Sequence, residues 1–371
     1  MIGLFQENGP CHFENGATTP SLNPYSFNTN ANMLYVDQPI GVGFSYGTDD
    51  VTGTVAAAPA VWTLLQAFYA QFTQYESRDF GIFTESYGGH YGPEFADYFE
   101  QQNAAGKGQK INLVALGINN GLFDNLIQEK SLVEFSYNNT YKPLITEAQY
   151  NQYLTAYNND CAPALTQCLA SNSDTDCVNA MNVCENEIEG PLSSNNPQQG
   201  GVAIVDFDVY DVREPSADPY PPSTYQTYLN DPAVQKAIGA QVSNFQQCAD
   251  TPYKNFASTG DVSKNFLPQL SSVVKSGVTT VIWAGDADWI CNWFGGQAAS
   301  EAVTFSGQST FQAMSLAPYT VSGNQGGTFK TVDNFSFLRV FGAGHEVPYY
   351  QPALALQVFD QTMGKKAIAS T

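Results

Sequence analysis

The 371-residue chain carries 35 acidic against 14 basic residues, a net charge of −21, and is 43% hydrophobic but only 13% charged. Such a composition buries a core readily, which excludes global disorder, and the length suits one large α/β domain with an insertion or two ordinary domains. The acid excess excludes nucleic acid as a partner, because phosphate binding needs clustered Lys and Arg, and no window approaches the run of about 18 apolar residues that a membrane span requires. An acidic surface of this kind is tolerated in an acidic compartment, where protonation lowers self-repulsion.

In chain order, Met1–Glu7 has neither a basic start nor an apolar signal core. Set beside the cysteine usage described below, this gives the expectation that sequence precedes Met1. Five short apolar runs read as buried strands: Met33–Val36, Phe80–Phe83, Leu113–Ile118, Thr279–Ala284 and Leu338–Phe341. Helical patterns fill Val55–Phe72 and His90–Gln102. Strands alternating with helices imply a mostly parallel sheet covered on both faces. The stretch 141–262 differs: it is rich in Asn, Gln and Tyr, contains the run Pro215–Pro222, and has no series of buried strands. The expected organisation is a discontinuous α/β core, 1–140 and 263–371, with a cap at 141–262.

Four of the seven cysteines, Cys161, Cys168, Cys177 and Cys184, are spaced symmetrically. Two helical arms stapled twice fit that spacing, with Cys168–Cys177 nested inside Cys161–Cys184. No His joins them at a zinc-site spacing, and disulfides of this density belong to oxidising compartments. Asn138 and Asn334 each open a glycosylation acceptor triplet, in keeping with a secretory route.

The chemistry begins at Thr84-Glu85-Ser86-Tyr87-Gly88-Gly89-His90, which follows a strand and opens a helix. That is the context of a nucleophile elbow, with Thr84 in place of the usual first Gly. The base must be one of three histidines. His12 lies in a polar loop beside Cys11 and His90 lies inside the helix, whereas His345 follows the last strand, where an α/β-hydrolase holds its base. Either Asp286 or Asp288, after the preceding strand, can supply the acid, and the order Ser, Asp, His is the one this fold uses. Gly41-Val42-Gly43 lacks the helix and acidic residue of a dinucleotide site, and no metal, nucleotide or flavin site is indicated.

Several blocks together resemble the serine carboxypeptidases of fungal type: Gly3–Pro10, Asn23–Ser26, Asp37–Tyr46, Glu85–Tyr91, Gly285–Trp293 and Gly342–Pro352. The resemblance covers nearly the whole chain. It implies an α/β-hydrolase fold, a mostly parallel sheet flanked by helices with a disulfide-stapled helical cap. It implies cofactor-free release of C-terminal residues from peptide or protein C-termini, favoured at acidic pH, in a secreted or vacuolar setting. It selects Asp288 over Asp286, gives Tyr87 an oxyanion N–H, and assigns Glu7 and Glu85 to the substrate carboxylate. It pairs Cys11 with Cys248 and leaves Cys291 as a free thiol near the pocket. A carboxyl buried near another has its pKa raised, and once protonated it can donate a hydrogen bond to the substrate carboxylate.

Two departures qualify the resemblance. Glu346 follows the base where relatives carry an apolar residue, which turns the leaving-group pocket toward basic or polar side chains. The family's Gly-rich block, with the second oxyanion donor, would precede Met1, so the chain as written is expected to have little activity, since one lost donor costs roughly 10²–10³ in rate. The alternatives are an esterase or acyltransferase of the same fold, or an inactive truncated product.

Overall fold

A computed structural model describes residues 1–371 except Asn15, Asp49 and 218–220, so part of the run Pro215–Pro222 lies outside the described residues. A two-stranded ribbon, β1 (Cys11–His12) and β2 (Ser21–Leu22), stands apart from the main sheet. The main sheet has six strands: β3 (Asp79–Glu85), β4 (Asn112–Asn119), β5 (Thr279–Gly285), β6 (Ala317–Val321), β7 (Asn324–Val332) and β8 (Phe335–Val340), in the order β3-β4-β5-β8-β7-β6. The first four in that order run parallel, while β7 and β6 close the sheet antiparallel.

Every residue of β5 is buried, as a strand covered on both faces must be. Alternate side chains divide between two layers. Leu116, Ile118, Ile282 and Phe337 pack toward the helix Leu267–Ser276. Val281, Trp283, Leu338 and Val340 pack toward the helix Pro352–Met363 through Leu354, Val358 and Phe359. The helices α1 (Thr54–Gln71) and α2 (Gly88–Ala104) pack together through Trp62, Leu65, Phe95 and Phe99.

Two differences from the sequence reading stand out. Met33–Val36 is extended and alternates half-buried with exposed, but it joins no ladder. The β6–β7 hairpin is an addition; its strands are half-exposed and rich in Gly, Thr and Gln, and so lack an apolar signature. The sheet is mostly parallel, as expected, with this antiparallel hairpin added at one edge.

Between β4 and β5 lie α3 (Asn125–Asn138), α4 (Glu147–Ala156), α5 (Ala162–Ser171), α6 (Asp174–Cys184) and shorter helices, with no strand of the main sheet among the described residues. Cys161–Cys184 and Cys168–Cys177 staple the α5–α6 arms, with Cα separations of 4.8 and 4.5 Å. These cysteines belong to a buried cluster that reaches Phe135 of α3 and Trp289 beyond β5, so the cap's core is continuous with the sheet's edge. The expected pair Cys11 and Cys248 are both thiols. Cys11 is held opposite Leu22 by the ribbon ladder, while Cys248 is exposed on a cavity wall near Tyr210. No helix among the described residues is long and apolar enough to cross a membrane.

Candidate active site

Parallel pairing sets the ends of four strands level: Glu85 lies beside Asn119, Asn119 beside Trp283, and Gly285 beside Val340. The loops that follow, at Ser86, Asn120, Asp286–Asp288 and Gly342–His345, therefore meet at one edge of the sheet.

Ser86 has φ +60°, the left-handed turn that lifts its hydroxyl off the sheet. Two backbone bonds hold that turn, from Ser86 N to Asn119 O (3.0 Å) and from Leu122 N to Ser86 O (2.9 Å). The neighbours must be small. A Cβ at Gly88 would fall 2.4 Å from Thr84 Cβ, and one at Gly89 would fall 2.3 Å from the Leu122 carbonyl oxygen. Thr84 is accommodated where a Gly is usual because its hydroxyl donates to the Gly88 carbonyl at 2.9 Å. Tyr87 begins α2, and among the described residues its N–H makes no backbone hydrogen bond in the turn.

His345 Nδ1 lies 2.9 Å from Asp288 Oδ2, and both side chains are buried. The same oxygen accepts from Asn120 Nδ2 (2.7 Å) and from Cys291 N (3.2 Å). A carboxylate so held fixes the imidazole with Nδ1 protonated, leaving Nε2 as the basic nitrogen. Asp286 is otherwise engaged: it accepts from Arg339 Nη2 (3.0 Å), Gly342 N (2.9 Å) and the Tyr141 hydroxyl. Ser86 and His345 line one cavity of about 1870 Å³. No direct hydrogen bond joins them among the described residues, and the Ser86 hydroxyl instead contacts the Cys291 thiol. Such bonds are often long in ligand-free sites and tighten around substrate. Burial, with Asp288 nearby, pushes the Cys291 thiol well up, so it is neutral.

His12 and His90 have structural partners. His12 Nε2 sits 2.6 Å from the Glu7 carbonyl oxygen, and His90 Nδ1 sits 2.6 Å from the Leu122 carbonyl oxygen. Burial lowers the pKa of both.

Beside the serine is a group of buried and half-buried carboxyls. Glu7 ends the helical turn Gly3–Glu7, Glu85 ends β3, and Glu346 follows His345. Burial raises Glu7 to about 7, against the opposing effects of a hydrogen bond with Glu85 and the charges of His345 and the N-terminus. Burial, together with the charges of Glu7 and Glu346, pushes Glu85 well above the usual range. Burial and Glu7 do the same to Glu346, whose Oε1 accepts from Gln6 Nε2 at 3.0 Å while its buried Oε2 has no hydrogen-bond partner among the described residues. A second acidic wall of the same cavity comes from Glu129 on α3 and from Glu185 and Glu189 after α6. Burial, with those two neighbours, pushes Glu129 well up, and its Oε2 is also without a partner among the described residues.

Sequence reasoning did not find Asn119 and Asn120. Asn119 Nδ2 donates to Glu85 Oε2 and, at 2.8 Å, to the His345 carbonyl, tying the carboxyl group to the base loop. Asn120 supports Asp288 and receives Gly285 N at 3.0 Å. The available signal was a polar Asn-Asn-Gly immediately after a buried strand. Of the two sequons, Asn138 is exposed, whereas Asn334 Nδ2 donates to both Val274 O (2.9 Å) and Val278 O (2.7 Å).

The family model for serine carboxypeptidase matches residues 1–365. Carboxypeptidase S1 of Penicillium janthinellum is 64% identical over 376 residues, covering all of this chain and 86% of the relative. Carboxypeptidase S1 homolog A of Arthroderma otae is 33% identical, covering all of this chain and 66% of the relative. The crystal structure of Kex1(delta)p, a prohormone-processing carboxypeptidase from Saccharomyces cerevisiae, superposes with a TM-score of 0.81 at 21% identity, over all of this chain and 81% of that one.

Proposed function

The chain belongs to the serine carboxypeptidase family, and from that premise we propose that it releases C-terminal residues from peptides through an acyl-enzyme on Ser86. The observation that carries this reading is the pair Glu7 and Glu85, two hydrogen-bonded carboxyls, the first buried and the second half-buried, in the cavity that also holds Ser86 and His345. A site that processes internal peptide bonds has no need of such a pair. Protonated, the pair donates to the substrate's terminal carboxylate and fixes its last peptide bond against the serine.

In the first half-reaction His345 Nε2 takes the Ser86 proton as Oγ forms a bond to the carbonyl carbon. The Tyr87 N–H donates to the oxygen that becomes negative. The C–N bond then breaks, and the imidazolium returns the proton to the departing amine. In the second half-reaction water adds in the same way, and the ester bond to Ser86 breaks. The Asp288–His345 contact of 2.9 Å supports these roles.

The proton sign favours acid. Burial raises Glu7 to about 7, so it ionises as pH rises through neutrality, and an ionised Glu7 repels the terminal carboxylate. Glu346 Oε2, without a partner among the described residues, supports a preference for basic or polar leaving-group side chains. The nested disulfides support a secreted or vacuolar location.

The test is a blocked dipeptide offered beside its C-terminal amide, with product release followed by mass spectrometry. Whatever the absolute rate, the free acid is expected to be cleaved far faster than the amide, and Ser86→Ala to cleave neither. Equal rates on acid and amide, or an active Ser86→Ala protein, would refute the assignment.

A further inference from the structure

One short segment, 208–214, touches both the acid loop and the base loop without contributing a member of the catalytic set. The Tyr210 carbonyl accepts the His345 N–H at 2.8 Å. The Val209 carbonyl accepts Trp289 N (3.2 Å) and Ile290 N (3.1 Å), and Val212 N donates to the Ala287 carbonyl at 2.9 Å. Asp288 thus has anchored residues on either side, and His345 is anchored by its own amide.

The three layers approach too closely for side chains to intervene. A Cβ at Gly344 would meet the Tyr210 carbonyl oxygen at 2.5 Å and Asp211 Cβ at 3.0 Å, and one at Gly285 would meet the Gly344 carbonyl oxygen at 2.1 Å. The segment is also closed on itself. Asp208 N donates to Glu214 O (2.8 Å), Tyr210 N to Asp208 Oδ1 (3.0 Å) and Glu214 N to Asp211 O (3.0 Å). At its centre Asp211 is fully buried and receives Arg213 through N (3.0 Å), Nε (2.8 Å) and Nη2 (2.5 Å). The Tyr350 hydroxyl, from the short helix after the base loop, bonds to the same carboxylate, and the Arg213 guanidinium lies 5.3 Å from the Tyr350 ring.

We infer that the segment 208–214 is a clamp that keeps His345 in register with Asp288, and that Asp211 and Arg213 are its positioning residues. Neither of the two touches the reacting atoms. Among the described residues Arg213 is the one cation that forms an ion pair with the fully buried Asp211 carboxylate, and breaking such a pair strands that charge. The loop must then relax, the Tyr210 carbonyl leaves the His345 amide, and the imidazole loses its alignment toward Ser86. Substrate binding depends on Glu7 and Glu85, on other elements, so the loss should fall on turnover and not on binding.

The inference rests on the reading of Ser86 and His345 given above, and the experiment separates the two. Arg213→Ala, Arg213→Lys and Ser86→Ala are compared for kcat and KM on a blocked dipeptide, for the rate at which a fluorophosphonate modifies Ser86, and for melting temperature. Arg213→Ala should lower kcat and the modification rate by about 10- to 100-fold, the scale of a misplacement of about 1 Å, with KM changed by less than about threefold. Arg213→Lys, which keeps the charge but not the fork, should fall between. Should Arg213→Ala not accumulate as folded protein, Arg213→Lys decides alone: a folded protein with depressed kcat and unchanged KM supports the clamp. Wild-type kcat in the folded Arg213 variant, or a loss confined to KM, overturns it. An active Ser86→Ala protein overturns the catalytic reading instead.

Discussion

Replacing Glu7 by Gln removes a titrating proton while keeping shape and a hydrogen-bond donor, so it isolates the role given to that carboxyl. Glu7 is 5% exposed and its pKa stands at about 7. A single group of that pKa is about 99% protonated two units below it and about 9% protonated one unit above. If only the protonated form accepts the substrate carboxylate, kcat/KM should fall about tenfold between about pH 5 and about pH 8, a loss of ~1.4 kcal/mol. In Glu7→Gln the amide donates at every pH, so the fall should vanish or move up to where Glu85, pushed well above the usual range, begins to ionise. The assay is kcat/KM for a blocked dipeptide across that range at fixed ionic strength, with the C-terminal amide of the same peptide as a control that has no charge to repel. A Glu7→Gln protein that keeps the full tenfold fall would refute the reasoning, as would a wild-type fall equally steep on the amide.

Two further outcomes follow from burial and connectivity. Glu7 and Glu189, ordinarily at 4.5, are both raised to about 7 in the folded chain, and burial also raises Glu85, Glu129 and Glu346 well above 4.5. The folded state therefore binds more protons than the unfolded one from about 4.5 upward, so stability should fall as pH rises through that window, and a melting temperature that is flat or rises from about pH 5 to about pH 7 would contradict it. Replacing Cys161 and Cys184 together by Ser opens a closure spanning 23 residues and should cost about 3.4 kcal/mol in urea unfolding, more than loss of the nine-residue closure of Cys168–Cys177, at about 2.6 kcal/mol; equal stability of the wild type and the first variant would exclude a structural role.

The parts of the site that could be read from the sequence are those whose geometry leaves a local trace. The elbow requires Gly88 and Gly89 because a Cβ at either would collide with Thr84 or the Leu122 carbonyl, and that need is written as adjacent glycines after a serine. The nested cysteines announce two arms of equal length, which α5 and α6 supply. What remained hidden depends on partners distant in sequence. Asp286 and Asp288 are indistinguishable locally; they separate only because Arg339, Tyr141 and Gly342 occupy the first while His345 and Asn120 occupy the second. Met33–Val36 has the alternation of a strand but no ladder beside it. The β6–β7 hairpin could have been suspected from Ser322-Gly323, both at positive φ, although its polar strands gave no apolar run. The clamp at 208–214 looked like ordinary cap sequence because its contacts are mostly backbone carbonyls and amides, which any residue type can supply.

The pairing of β4 with β5 also governs the order in which the molecule can assemble. Asn119 lies beside Trp283, so the ladder at the middle of the sheet joins positions with the whole cap between them. Contacts so remote in sequence form slowly, because a long closure must be made before they return any stabilisation. Ser86 is synthesised early and can take its turn beside Asn119 at once, but Asp288 and His345 arrive only with the C-terminal strands. A nascent chain therefore passes through a period in which it has a nucleophile without a base. Its hydrolytic competence is a late event, coincident with the last strands docking, and appearance of activity during refolding would time that docking directly.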